Sequence, residues 1–385
     1  MKAVVLAAGE GTRLRPLTRT RPKPMLPIGN QPLLEHVLEA AREAGIDEFV
    51  FVVGYKRERI QNHFGDGDDW NVDIEYAVQE TQLGTGHALL QVERYVDGEF
   101  LALNGDRIIE PNAISAVIAE REDTTRPVMA VTRHHTPENY GVVELDGRTV
   151  RSIEEKPPVH TIRTDYINAG VYGLSQVIFD DLRAADPDGE LAITTVLDEH
   201  RDALRAIPFD GLWLDVSYHW DILSVNSRML DRVDPERNET AMVHERATAV
   251  DGTALGADVR VQPGGTVLPG TALGDNVEVG SNAVVSNAVV LPDATIGDSA
   301  VVRDCVVGEN ATVGPNATVE GGEADVRIGS TVHEGVRLGA VVGDNAEVGG
   351  GVVLSPGTVL GNHTRVEAGS IVSGRIENGA VVRRG

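Results

Sequence analysis

From Leu255 onward the chain repeats itself every six residues, and this limits what its C-terminal part can become. Leu255, Val261, Val267, Leu273, Val279, Val285 and Leu291 keep the interval, usually followed by Gly or a small or polar residue. The period slips near Ile296 and resumes in part through Val302, Val307, Val313 and Val319. It returns at Val342, Val348, Leu354, Leu360, Val366 and Val372. Six matches neither the turn of a helix nor the alternation of a half-buried strand. It suits a parallel β-helix, in which triangular coils stack and point their apolar corners inward. The hexapeptide form predicts the left-handed kind, an exception to the usual right-handed crossover. Gly321-Gly322-Glu323-Ala324-Asp325 breaks the repeat and predicts a protruding loop.

The preceding residues follow a different pattern. Apolar strands alternate with helical segments, the order of βαβ units around a mixed, mainly parallel sheet of Rossmann-like α/β type. Strands are predicted at Ala3–Ala7, Phe49–Val53, Phe100–Leu103, Val128–Thr132 and Gly170–Gly173. A helix over Leu33–Ala44 would bury Leu34, Val37, Leu38 and Ala41 and stop at Gly45. The pattern changes at Asp234-Pro235-Glu236, which predicts an α/β domain over 1–235 and a β-helix domain over 236–385.

Charge narrows the partners. Acidic residues outnumber basic ones 59 to 34, for a net charge of −25. Such a surface repels phosphate backbones and argues against nucleic acid, so a polyphosphate must meet a local cationic pocket or a metal. Only Lys2, Lys23, Lys56 and Lys156 are lysines, against 30 arginines. That acidic, lysine-poor balance resembles haloarchaeal proteins. The one cysteine, Cys305, forbids an intrachain disulfide and a cysteine-based zinc site, and its valine neighbours place it in the core. No apolar run approaches the ~18 residues of a membrane span, and the N-terminus opens directly on a strand; a cytoplasmic protein is expected.

The chemistry concentrates in four stretches. In Leu6-Ala7-Ala8-Gly9-Glu10-Gly11-Thr12-Arg13, a strand runs into a loop whose glycines let backbone N–H groups approach an anion. Arg13 offers a planar fork and Lys23, between Pro22 and Pro24, a compact charge. Gln79, in Gln79-Glu80-Thr81-Gln82-Leu83-Gly84-Thr85-Gly86-His87, carries an amide that both donates and accepts. His87 is expected to pack or cap the following helix. Asn104-Gly105-Asp106 ends a strand, where open α/β sheets place ligands, and its carboxylate suits Mg²⁺. Glu154-Glu155-Lys156 sets hydrogen-bond acceptors beside one of the four lysines, a point charge retained where arginine is otherwise the rule.

Leu-Ala-Ala-Gly-x-Gly-Thr-Arg-Leu followed by Pro-Lys-Pro-Met-Leu-Pro resembles the sugar-phosphate nucleotidyltransferases over about residues 1–230. These include glucose-1-phosphate thymidylyl- and uridylyltransferases and the uridylyltransferase half of bifunctional N-acetylglucosamine-1-phosphate enzymes. The resemblance implies that Arg13 and Lys23 grip the phosphates of UTP or dTTP. It places Leu6, Ala8, Gly9, Gly11, Thr12, Gln79, Gln82, Gly84 and Thr85 around the nucleotide. Asn104, Gly141, Glu155, Lys156 and Asn168 would meet the sugar 1-phosphate, with glucose 1-phosphate the first choice, and Asp106 and Asp215 would hold Mg²⁺. A phosphate oxygen would then attack the α-phosphorus and expel pyrophosphate without a covalent intermediate. One departure stands out: the family's Asp-Val-Gly-Thr is here Asp215-Val216-Ser217-Tyr218, followed by His219.

The repeat half has three candidate roles: building a homo-oligomer (a trimer or larger), regulating the first domain, or transferring an acetyl group as in bifunctional relatives. The last needs a base, for which His244, His333 and His363 are candidates; no Asn-rich acetyltransferase segment surrounds His333 or His363, and solvated turn histidines are expected instead. A non-catalytic regulatory paralogue is the remaining alternative, and the presence of Arg13, Lys23 and Asp106 argues against it.

Overall fold

The computed structural model describes residues 1–185, 189–232 and 237–384; the boundary read at Asp234-Pro235-Glu236 lies outside them. The chain forms two compact units. The first comprises Met1–Glu10, Pro22–Met25 and Leu33–Asp215, and the second Gly11–Arg21, Leu26–Pro32 and Val216–Gly385.

The first unit is built on a nine-stranded sheet. Its strands are β1 (Lys2–Leu6), β2 (Glu48–Val53), β3 (Asp73–Val78), β4 (Glu99–Asn104), β5 (Val128–Arg133), β6 (Gly141–Asp146), β7 (Thr149–Glu155), β8 (Tyr166–Ser175) and β9 (Arg205–Pro208). They lie in the order β3-β2-β1-β4-β8-β5-β9-β7-β6. The stretch β3 to β4 is parallel, whereas β8 runs antiparallel to β4 and β5. Phe49 to Val53 are buried on both faces of the sheet, which is why β2 reads as an unbroken apolar run. The helix Leu33–Glu43 buries Leu34, Val37, Leu38 and Ala41, as its spacing predicts. It ends where Gly45 turns left-handed at φ 93°, with the Ile46 N–H donating to the Ala41 carbonyl.

The second unit is a stack of short parallel strands, a parallel β-helix. Arg260-Val261 pairs with Glu278-Val279, eighteen residues on, so one coil spans three hexapeptides. Glu278-Val279 pairs with Thr295-Ile296 only seventeen residues on; this short coil is the slip in the period near Ile296. Val261, Val279, Ile296, Val313, Val348 and Val366 stack inside, each nearly inaccessible to solvent, and burying such a side chain is worth about 1.5–3 kcal/mol. Between them Asp258, Asn276, Asp293, Asn310 and Asn345 adopt left-handed backbone, which short polar side chains tolerate. Cys305 is buried, and burial pushes its thiol up, out of reactive range.

The interruption is more regular than a protruding loop. Thr312-Val313 pairs with Glu347-Val348, thirty-five residues on, and the intervening excess folds as an antiparallel hairpin, Glu323–Ile328 against Thr331–Arg337. The early segment Gly11–Arg21 is tied to the coils by ions. The Arg21 guanidinium lies 2.7 Å from Glu309 and 3.1 Å from Asp344, all but hidden from solvent, and Thr20 donates to Asp344. The Arg375 guanidinium donates to the Arg15 carbonyl at 3.1 Å.

Candidate active site

A two-stranded ladder assembles the charged centre of the first unit. Arg107–Ile109 pairs antiparallel with Trp213–Asp215, in a register that sets Asp215 opposite Arg107 and hence beside Asp106. Lys23, on the turn Lys23–Met25, inserts its amine between the two carboxylates, 2.7 Å from Asp106 and 3.4 Å from Asp215. Burial disfavours the lysine's charge, and the attraction of Asp106 and Asp215 outweighs it, so the pKa is raised. The amine is therefore fully charged at neutral pH.

Arg107 completes this centre and is a residue that the sequence reading passed over. Its guanidinium packs 5.2 Å from the Trp213 ring, donates to the Asn168 carbonyl at 3.1 Å and lies 3.9 Å from Asp215. Burial again opposes its charge, and Asp215 and Asp106 again prevail. The signal was the neighbouring position itself: a cation directly after a strand-end carboxylate. Trp213 also donates to the Ala169 carbonyl and meets Tyr140 edge-on, with ring centres 5.1 Å apart.

The predicted sugar-facing residues gather along the facing ends of β6, β7 and β8. Gly141 pairs with Glu155, and a Cβ on Gly141 would stand 2.9 Å from the Glu155 carboxylate. That carboxylate accepts from the Thr194 hydroxyl at 3.0 Å. Lys156 is exposed and left-handed, at φ 46°, an uncommon conformation for a residue other than glycine. Gly170, at φ 82°, lies so close to Asn104 that a Cβ would approach the Asn104 amide within 2.6 Å. The Asn168 side chain is buried: its nitrogen donates to the Tyr172 hydroxyl at 2.6 Å, and its oxygen accepts from the Gly170 N–H.

The predicted nucleotide residues divide. The end of β1 is linked to the Gln79–His87 segment, since Gln82 donates to the Ala8 carbonyl at 2.8 Å, while the Leu6 carbonyl accepts from Gly105. Gly9 is exposed, and a Cβ there would meet nothing within 4 Å. Gln79 is buried, and its nitrogen donates to both the Gly84 carbonyl and His87 Nδ1; its oxygen is the end left to accept. His87 thus packs locally, as expected. Gly84 has a packing role too, because a Cβ would stand 2.4 Å from the Leu191 carbonyl oxygen. The Thr85 hydroxyl accepts from the Ile193 N–H.

Gly11, Thr12 and Arg13 belong to the second unit. Gly11 turns left-handed at φ 69°, and its carbonyl accepts from the Thr18 hydroxyl at 2.8 Å. Exposed Arg13 follows on the turn Thr12–Leu14, with its guanidinium 5.7 Å from the centre of the Tyr218 ring. Among the described residues, no cluster of three or more His, Cys, Asp or Glu side chains is arranged to hold a metal. Asp106 and Asp215 are two hard oxygen donors, the number that suits Mg²⁺ when substrate phosphates and waters complete its shell.

Comparison with known proteins places the chain in a family. Residues 2–232 match the family model described as nucleotidyl transferase, and residues 242–377 match that of the GMPPB C-terminal domain. The chain belongs to the nucleotidyl transferase family. It is 32% identical to the bifunctional protein GlmU of Methanococcus maripaludis strain C5, across 99% of this chain and 97% of that one. It is 34% identical to a glucose-1-phosphate thymidylyltransferase of Streptomyces antibioticus, across 68% of this chain and 74% of the relative. The crystal structure of a UDP-glucose pyrophosphorylase with UDP-glucose shares the fold of 60% of the chain and covers 99% of itself, with a TM-score of 0.54 at 23% identity. Among the described residues, no helix is long and apolar enough to cross a membrane.

Proposed function

We propose that the protein transfers UMP or dTMP from UTP or dTTP to a sugar 1-phosphate, glucose 1-phosphate first among the candidates, releasing pyrophosphate. The observation that carries this reading is the Lys23 amine between Asp106 and Asp215, just past the carboxyl end of β4 in the parallel part of the sheet. A phosphomonoester is already ionised at neutral pH, so attack on the α-phosphorus needs no strong base. It needs the two anions held in line and their charge offset. Lys23 and Arg13 act on the triphosphate and Lys156 on the sugar phosphate. Glu155, Gly141, Asn104 and Asn168 border the sugar. Asp106 and Asp215 would hold Mg²⁺, which when bound neutralises phosphate charge. The relative named as a glucose-1-phosphate thymidylyltransferase supports a thymidine nucleotide and glucose 1-phosphate.

The test is pyrophosphate release from a matrix of four NTPs and several sugar 1-phosphates, at low and high KCl. Turnover confined to UTP or dTTP is expected. No transfer with any pair, by folded protein, would overturn the assignment.

A relative named as bifunctional matches nearly the whole chain, which supports a second activity, and the repeat unit is tested for acetyl transfer. Consumption of acetyl-CoA with glucosamine 1-phosphate, lost in His333→Ala or His363→Ala, would establish it. Self-association through the coils draws support from one ladder. Thr248, Thr266, Val284, Val301, Thr318, Val353 and Ile371 align along it, all partly or fully exposed and none charged.

A further inference from the structure

The departure from the family's Asp-Val-Gly-Thr places a bulky ring where the family has a small residue, and in the second unit that ring has company. Tyr218 stacks on Trp220 with centres 4.7 Å apart and planes 14° from parallel. His333 closes the group, 4.5 Å from Tyr218 and 5.1 Å from Trp220. It comes from the hairpin strand Thr331–Arg337, the segment that interrupts the hexapeptide repeat. On this three-ring platform sits the guanidinium of Arg13, over Tyr218. Arg13 is exposed and hangs from a short turn. Left alone, such a side chain samples many rotamers, and fixing it on a phosphate costs entropy. A cation over an aromatic face restricts that freedom without neutralising the charge, as a carboxylate would.

We propose that Tyr218 and His333 are positioning residues for Arg13, so that the hairpin inserted in the repeat unit tunes the affinity for the nucleoside triphosphate. This rests on the reading that Arg13 grips the triphosphate. Tyr218 supplies the face on which the guanidinium rests. His333 and Trp220 pack against that ring, so the hairpin has a function beyond filling a gap between coils. The effect falls on nucleotide capture rather than on the chemical step, because Lys23 and its carboxylates are held by other residues.

The test measures KM for the NTP and kcat separately, at saturating sugar 1-phosphate. A cation–π contact at an exposed site predicts a rise in KM of about two- to fivefold for Tyr218→Leu, with kcat within twofold of the parent. Tyr218→Phe, which keeps the ring, restores the parent KM. His333→Ala, at a partly exposed position on the hairpin, raises KM by a smaller factor in the same direction. In an Arg13→Ala background Tyr218→Leu adds nothing further. Additive losses in the double variant, or an unchanged KM in both Tyr218→Leu and His333→Ala, would overturn the proposal. If Arg13→Ala itself leaves KM and kcat unchanged, the reading of Arg13 as a phosphate ligand falls instead. Matching thermal transitions of the variants separate these outcomes from misfolding.

Discussion

Lys23 and Arg13 lie ten residues apart in one motif, yet they are held by opposite means. Lys23 is enclosed in the first unit by Asp106 and Asp215, and those carboxylates fix both its position and its charge. Arg13 stands in solvent on the second unit and leans on an aromatic ring. The first arrangement is rigid and leaves little tolerance for substitution. The second leaves the guanidinium available to an incoming anion and makes its placement adjustable. A single stretch of sequence can thus supply one fixed and one adaptable cation, provided that different neighbours support each.

The contrast predicts a graded set of outcomes. Lys23→Ala removes the enclosed cation and should lower the rate of pyrophosphate release about 10²–10³-fold, the usual cost of losing one preorganised charge-stabilising group. Circular dichroism should show the fold retained. Turnover within a factor of three would sink the role of Lys23. The amine does not titrate near neutrality: Asp106 and Asp215 raise its pKa above the ordinary lysine value, so its charge is lost only in strongly alkaline solution.

The support of the Arg13 segment should fail in the opposite way. Arg21→Leu leaves the buried Asp344 carboxylate without the Arg21 cation, and removing one partner of such a buried pair costs about 3–5 kcal/mol. A lowered thermal midpoint, with reduced nucleotide affinity in the remaining folded protein, is expected. An unchanged midpoint would show that the ions do not anchor the segment.

Acid should loosen the same region. His219 is fully buried; burial, then the charge of Arg375, lowers its pKa to about 4. The backbone of Leu14 and Arg15 pulls weakly the other way. Those backbone contacts are too weak to offset the burial, which prevails. The unfolded chain takes up this proton near pH 6.5 and the folded one only near 4, so the associated stability is complete above 6.5 and is lost as the pH falls through 4. Denaturant titrations across that window should show a loss of about 2–3 kcal/mol that His219→Leu lacks. Identical slopes for the two proteins would refute it. At the other extreme, Arg365→Gln breaks a pair with Glu347 that lies in open solvent and should leave the melting curve unmoved.

Much of this was legible in the sequence, because periodicity and strand-end motifs are local. The six-residue interval fixed the coils, and the strand at Phe49–Val53 needed only its apolar run. The interrupting hairpin was missed because its outer strands carry mixed polarity: Thr331–Arg337 has no fully buried residue. Arg107 was missed because its importance comes from a pairing with Trp213–Asp215, about a hundred residues away. The inward turn of the Gln79 nitrogen and the filling of Gly84 by Leu191 depend on tertiary neighbours that no spacing rule names. The grouping of Gly11–Arg21 with the coils required Asp344, more than three hundred positions downstream.

The hairpin leaves the ladder it interrupts in step: Val313 meets Val348 as though the intervening strand pair were not there, and Val302 continues to Val319 and Leu354 on the neighbouring ladder. A coil stack that absorbs a detour without losing count is a scaffold with a ready-made port. Appendages can be lengthened, shortened or exchanged at that port while the stack above and below keeps its alignment. Recognition features can therefore diversify there faster than the architecture that carries them.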